Sequence, residues 1–271
     1  MLHSLFQQLP KWSLVASIAL LFPLNASFPK PVWAAPASNA PERLTQQLRE
    51  LETAANNRNI EAVRAAYDDE VTTVAGSPQA LAQKLKQLWE TYSQLDYQIK
   101  LQSWENQGDA IVAETVTHIR GSREAKGRNM TLSAKLRSRQ QFVDGKIISQ
   151  EILSEQSQLY IGENAPRVKV NAPNQVKVGE QFNFDVIVRE PLEDGILLGT
   201  AVEEQVNPSN YLKPQKLDLE ILPAGGIYRL GKISSLGNRW LSAIIIRSNG
   251  MTLVSQRLNI VPATTASNSK D

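Results

Sequence analysis

The chain contains no cysteine. That excludes disulfides, thiolate metal sites, Cys nucleophiles and lipid attachment at an N-terminal Cys. Histidine is almost as scarce, with His3 near the start and His118 as the second of two. No HExxH pair and no multi-histidine zinc site can be built from that supply. A Ser-His-Asp hydrolase would have to use His118 as its base, and no G-x-S-x-G elbow accompanies it. Walker loops and G-x-G-x-x-G fingerprints are missing too. Neither a metal nor a cofactor is expected.

Long apolar runs are also missing. Trp12 to Phe22 is apolar, but Pro23 interrupts it well short of the roughly 20 residues a membrane span needs. Lys11 precedes the run, and the small residues of Val32-Trp33-Ala34 and Ala35-Pro36-Ala37 follow it. This order is that of an export signal, and residues 1–34 are expected to be removed. The mature protein is then extracytoplasmic, in the periplasm or secreted, with no transmembrane segment. Excess charge disappears with the signal. The chain has 29 Lys and Arg against 27 Asp and Glu, and Lys11 and Lys30 are the only charges in residues 1–34. The remaining 27 bases balance 27 acids. A formally neutral protein has no long-range field to gather nucleic acid, which is excluded as a partner.

What is present is a change of period. Leu44, Leu48 and Leu51 share a helical face, and Ile60, Val63 and Tyr67 suit a second short helix. Ser77 is placed to cap a third, with Pro78 at its first position and Leu81, Leu85, Leu88, Trp89 and Tyr92 on its apolar side. After Leu95 the period becomes 2. Tyr97, Ile99 and Leu101 alternate with polar residues, Ala110 to Ile119 is rich in β-branched residues, and Met130 to Phe142 alternates clearly. Asp144-Gly145 signals a hairpin into a strand reaching about Leu159. Three N-terminal helices on a curved antiparallel sheet make an α+β domain over residues 41–161. Gly162 to Pro166 reads as a linker, and residues 166–262 read as short strands with turns at Asp194-Gly195, Asn207-Pro208, Gly225-Gly226 and Gly237-Asn238. Asn249-Gly250 predicts a two-residue hairpin loop pairing Ile245 with Val254 and Leu241 with Leu258. This half is expected to be a separate all-β sandwich, with residues 263–271 a disordered tail.

Leu51-Glu52-Thr53-Ala54-Ala55, Asn59-Ile60-Glu61-Ala62-Val63, Tyr67-Asp68-Asp69-Glu70-Val71, the helix capped at Ser77, Asp109-Ala110-Ile111-Val112-Ala113 and Val143-Asp144-Gly145-Lys146-Ile147-Ile148 carry a resemblance. Over about residues 42–160 the chain resembles the nuclear transport factor 2-like superfamily, the cone-shaped fold shared with ketosteroid isomerases. The resemblance implies a cone with a pocket between curved sheet and long helix. In the enzymes of that superfamily, acids, a Tyr or a His in the pocket transfer protons. Residues 166–262 resemble an immunoglobulin-like sandwich by strand pattern alone.

Glu114 and His118 are the candidate catalytic pair. On a strand they share a face with Val112 and Val116, about 13 Å apart at roughly 3.3 Å per residue, so each would approach a ligand held between them. Tyr67, Trp89, Tyr92 and Gln140 complete the candidate pocket, with core packing as the alternative for the aromatics. Lys135, Arg137 and Arg139 form a cationic row at a spacing of two, suited to an acidic partner or to pairing with Glu151 or Glu155 on the next strand. The same exposed sheet face is a candidate homodimer surface. Asp68-Asp69-Glu70 lacks the spaced oxygen ligands of a calcium loop. The expected function is therefore an exported, non-catalytic binding protein of the bacterial envelope that holds a protein partner or small molecule. A cofactor-free lyase or isomerase, and a structural subunit of an envelope assembly, are the alternatives.

Overall fold

The apolar spacing produces three helices against one very large sheet. The computed structural model describes residues 34–71, 78–191, 195–206, 218–223 and 225–263. The export signal, the Ser77 cap, the Asn207-Pro208 turn, Asp194 and the tail beyond Ala263 lie outside them. Helix α1 (Glu42–Asn56) buries Leu44 and Leu48, with Leu51 partly covered beside them. Helix α2 (Ile60–Ala65) is capped by the Asn59 side chain, which accepts from the Ala62 N–H at 3.0 Å. Helix α3 (Pro78–Thr91) buries Leu81, Leu88 and Trp89. Its C-terminal carbonyls are held by Arg58, which donates to Trp89 O, Tyr92 O and Ser93 O at 3.0, 2.9 and 2.7 Å. A cation is favoured where unpaired carbonyls gather.

A short β1 (Ala35–Pro36) joins the antiparallel series β2 (Gln94–Gln107), β3 (Ala110–Ala125), β4 (Arg128–Val143) and β5 (Lys146–Ile161). Asp144 and Gly145 take positive φ, as the predicted hairpin between β4 and β5 requires. β2 lies near the edge, and its outward backbone is covered. The Asn56 side chain bonds both N–H and C=O of Tyr97, and Glu52 accepts from Ile99 N. Such cover removes the pairing template of an exposed strand.

The second half corrects the expected architecture. Its strands are β6 (Val168–Asn171), β7 (Gln175–Lys177), β8 (Gln181–Val188), β9 (Leu197–Gln205), β10 (Glu220–Ile221), β11 (Gly226–Lys232), β12 (Arg239–Arg247) and β13 (Gly250–Val261). β13 pairs residues 251–256 with residues 161–156 of β5, so the sheet continues in the order β1-β2-β3-β4-β5-β13-β12-β9-β10. The protein is mostly β, built on one ten-stranded sheet whose tenth strand, β7, pairs parallel with β13. It is not a helix-rich cone followed by a separate immunoglobulin-like sandwich. The reason is the free edge at the end of β5: the backbone groups of residues 156–161 accept the last strand of the chain. A second sheet, β11-β8-β6, packs on the opposite face from the helices. One apolar core holds α1–α3 with Leu132, Leu159, Leu253 and Ile244, and the other holds Phe182, Phe184 and Val186 against Leu241, Ala243 and Val254.

The last hairpin is also two residues out of the expected register. Ile245 faces Thr252 and Leu241 faces Gln256, because the loop is Ser248-Asn249 with Ser248 at φ 49°. Gly250 serves a different purpose. A Cβ there would lie 2.2 Å from both Ala165 N and Asn164 C, where the chain leaves β5. Gly250→Ala should therefore cost at least about 2 kcal/mol in denaturant unfolding, since backbone must move. Gly108→Ala, with φ 65° but open space around it, should cost only about 1 kcal/mol. Equal losses would show that the close approach does not constrain the junction.

Candidate functional site

Register divides the chemistry between two faces of the sheet. Along β3 and β4, Glu114 lies opposite Arg139, Val116 opposite Arg137 and His118 opposite Lys135. The alternate set pairs Ala113 with Gln140, Thr115 with Ser138 and Thr117 with Leu136. The second set faces the helices and the first faces away. Tyr67, Trp89, Tyr92 and Gln140 are thus gathered on the helix side. Glu114 and His118 stand on the other side with Lys135, Arg137 and Arg139, and the sheet itself separates the two groups.

On the outer face Glu114 accepts from Arg137 at 2.5 Å and from Arg139 at 2.6 Å, and Arg139 reaches Glu151 at 3.5 Å. Burial works to raise the Glu114 carboxyl, but the hydrogen bonds and charges of the two arginines outweigh it and hold it below the usual range. Both its oxygens are committed. His118 is partly buried, and that burial with the charges of Lys135, Lys100 and Arg120 lowers its pKa. It is a neutral ring among cations.

On the helix side the aromatics are core. The Trp89 indole N–H donates to Tyr97 Oη at 3.1 Å, and Arg123 lies 5.8 Å from the Tyr92 ring centroid. Burial pushes the Tyr92 and Tyr97 hydroxyls up to about 12 and Tyr67 further still. Gln140 has found its partners. Tyr67 Oη donates to Gln150 Oε1 at 3.2 Å, Gln140 Nε2 reaches the same oxygen at 3.5 Å, and Thr115 Oγ1 donates to Gln140 Oε1 at 3.2 Å. Asp68 accepts from Glu70 N at 3.0 Å in a local turn, and no group of three or more potential metal ligands converges among the described residues.

The residues that sequence reasoning missed lie further along the same face. Two β-bulges interrupt the pairing of β4 with β5, one opposite Arg137 and Ser138 and one opposite Gln141 and Phe142. The first inserts Leu153, so Glu151 faces outward beside Arg139 while Glu155 turns inward opposite Leu136. The adjacent apolar residues Ile152-Leu153, which break the alternation, are the one trace of it in the sequence. Glu155 is 2% exposed, and its Oε2 accepts from Arg257 Nε at 3.3 Å. Burial pushes its carboxyl up to about 8 against the pull of Arg257. Arg257 in turn lies 4.8 Å from the Trp240 ring centroid.

Comparisons with known proteins add little. Residues 163–261 match a family described as a domain of unknown function (DUF8623), which covers less than half of the chain. No curated protein matches. Among solved structures, Bd1075 of Bdellovibrio bacteriovorus is similar at 16% identity and a TM-score of 0.29 over 40% of this chain, which spans only 38% of that protein's length. An LEH-like epoxide hydrolase of M. tuberculosis is similar at 13% identity and a TM-score of 0.29, over 41% of this chain and 80% of its own. At that score neither likeness bears on fold or function. No helix among the described residues is long and apolar enough to cross a membrane.

The raised carboxyl of Glu155 has a measurable consequence. The folded protein keeps a proton that the unfolded chain releases above its ordinary value of 4.5, so this group's contribution to stability falls as pH rises from 4.5 to about 8. Glu155→Gln cannot titrate. The Tm of the wild type relative to this variant should therefore fall steadily between pH 5 and pH 8, other groups cancelling in the difference. Parallel profiles would mean that Glu155 is ionised throughout.

Proposed function

We propose that this chain is an exported, non-catalytic binding protein of the bacterial envelope that captures an acidic protein partner on the outer face of its sheet. The observation that carries this reading is the cluster of Lys100, Arg120 and Lys135 around His118. All three cations are exposed, and none is in an ion pair among the described residues. Asp96 borders the cluster, while Glu105, Glu114 and Glu151 lie toward the other end of the face. Glu114 there holds Arg137 and Arg139 side by side. Exposed cations outside any ion pair among the described residues, gathered at one end of the face, favour encounter with a complementary surface.

Proton transfer is less well supported. A general acid or base must reach a substrate with a tuned pKa. Glu114 is held ionised by two arginines, and it and His118 sit outside the helix-covered face. The resemblance of residues 42–160 to the nuclear transport factor 2-like superfamily agrees with a binding role, because that fold hosts interaction modules as well as enzymes. Export rests on the Lys11 lead, the Trp12–Phe22 run and the small residues that follow.

Lys135→Glu should reduce capture of the partner from envelope extract by roughly tenfold, and capture by the wild type should fall steeply with ionic strength. The retained protein should carry an acidic surface. Capture unaffected by both changes would sink the reading, and a wild-type dimer that Lys135→Glu dissociates would assign the face to a second copy instead.

Protein recovered from its native envelope should begin at Ala35 or Ser38 when its N-terminus is sequenced. A start at Met1 in the cytoplasmic fraction would refute export.

A further inference from the structure

The helix-side face carries a second polar cluster, independent of the outer cations and astride the join between the two halves of the sheet. Trp240 and Arg257 are direct cross-strand partners, and the pairing of Gln156 with Gln256 sets Glu155 beside Arg257. Ser157 lies two residues along from Glu155 on the same face, opposite Ser255, which shares a hydrogen bond of 3.1 Å with Ser242. Glu155, Ser157 and Arg257 are each 2% exposed and Trp240 is 5% exposed.

These four side chains each bury a polar atom that has no hydrogen-bond partner: Glu155 Oε1, Ser157 Oγ, Trp240 Nε1 and Arg257 Nη2. Leaving one such atom unsatisfied costs about 1–3 kcal/mol. Buried polar atoms without partners are rare in folded proteins, and four in one patch call for something to bind them. Their chemistry is one-sided. Arg257 Nη2 and Trp240 Nε1 can only donate, and the Ser157 hydroxyl can donate as well. The Glu155 carboxyl, raised to about 8, keeps its proton near neutrality. It then donates too, and the charge of Arg257 is left without a counterion. Three or four donors around one buried positive charge are complementary to a small anion bearing a single charge and several lone pairs.

We propose that Glu155, Ser157, Trp240 and Arg257 form a binding site for a small monoanionic carboxylate on the helix-side face of the sheet. The carboxylate takes hydrogen bonds from Arg257 Nη2, Trp240 Nε1 and Ser157 Oγ, and the Trp240 ring fixes the guanidinium plane against which it lies. Since β5 belongs to the first half of the chain and β12 and β13 to the second, a bound ligand ties the halves together and stabilises the fold by mass action.

The test is thermal unfolding of the full chain in acetate, lactate or benzoate, with acetamide and inorganic phosphate as controls at matched ionic strength. At least one carboxylate should raise the Tm in a saturable manner, while acetamide and phosphate should not. Arg257 variants are apt to misfold, so Trp240→Phe and Ser157→Ala carry the test. Each removes one donor and should weaken the carboxylate by roughly fivefold to tenfold. Ser157→Ala should not lower the Tm of the ligand-free protein appreciably, because it deletes a polar atom that has no partner. Trp240→Phe also removes buried ring area beside Arg257, so its carboxylate response is read against its own ligand-free Tm. A Tm unmoved by all three carboxylates would assign the cluster to buried water and overturn the proposal. An equal response to phosphate would overturn the ligand class. A carboxylate response undiminished in both variants would place the ligand elsewhere.

Discussion

Six residues of β13 laid against six of β5 decide the architecture. Without that ladder the first half would end in an open edge, and the second half would be a small body of its own. With it, a single sheet runs from Ala35 to the β9–β10 pair, covered by helices on one face and by the β11-β8-β6 sheet on the other. The two apolar cores share strands β12 and β13, whose alternate residues supply one core each: Ile244 and Leu253 the first, Ala243 and Val254 the second. A strand buried on both faces reads as a continuous apolar run, and Ala243-Ile244-Ile245-Ile246 is such a run.

The same ladder creates the chemistry of the helix-side face. Glu155 and Arg257 are 102 residues apart in the chain and meet only because β5 and β13 are neighbours. Their pairing leaves the carboxyl of Glu155 with one satisfied oxygen and the guanidinium with an unsatisfied nitrogen. An apolar pair of similar volume would be at least as stable in such a place. The polar pair therefore marks a position where stability alone does not account for the residues. The contrast with Glu114 is instructive. That carboxylate is only 11% exposed, yet it holds two arginines that keep it below the usual carboxylate range, so its environment stabilises charge where that of Glu155 opposes it.

Local features were legible because they depend on near neighbours. The helical faces of Leu44, Leu48 and Leu88, the Pro78 start of α3, the alternation of β4 and the Asp144-Gly145 hairpin all follow from spacing and turn chemistry. Gln140, expected to line a pocket, is bonded to Thr115 and Gln150 on the helix-side face. Long-range features were not legible. Periodicity places Glu151 and Glu155 on one face, and the inserted Leu153 puts them on opposite faces. The Asn249-Gly250 pair resembles a hairpin loop, yet Gly250 is needed where backbone from Asn164–Ala165 crosses it. A dipeptide rule sees the turn but cannot see the strand that passes beside it.

The sequence by itself determined the excluded chemistries, the three helices, the long strands of the first half and the alternation along β4. These rest on composition and on interactions within a few residues, where the chain's own geometry leaves few choices. Only the tertiary structure decided which face each alternation presents, that two apparent domains share a sheet, and that Glu155, Ser157, Trp240 and Arg257 stand together. Those outcomes depend on one bulge and one ladder between distant strands, and free backbone edges can be satisfied by many partners until the whole chain selects one.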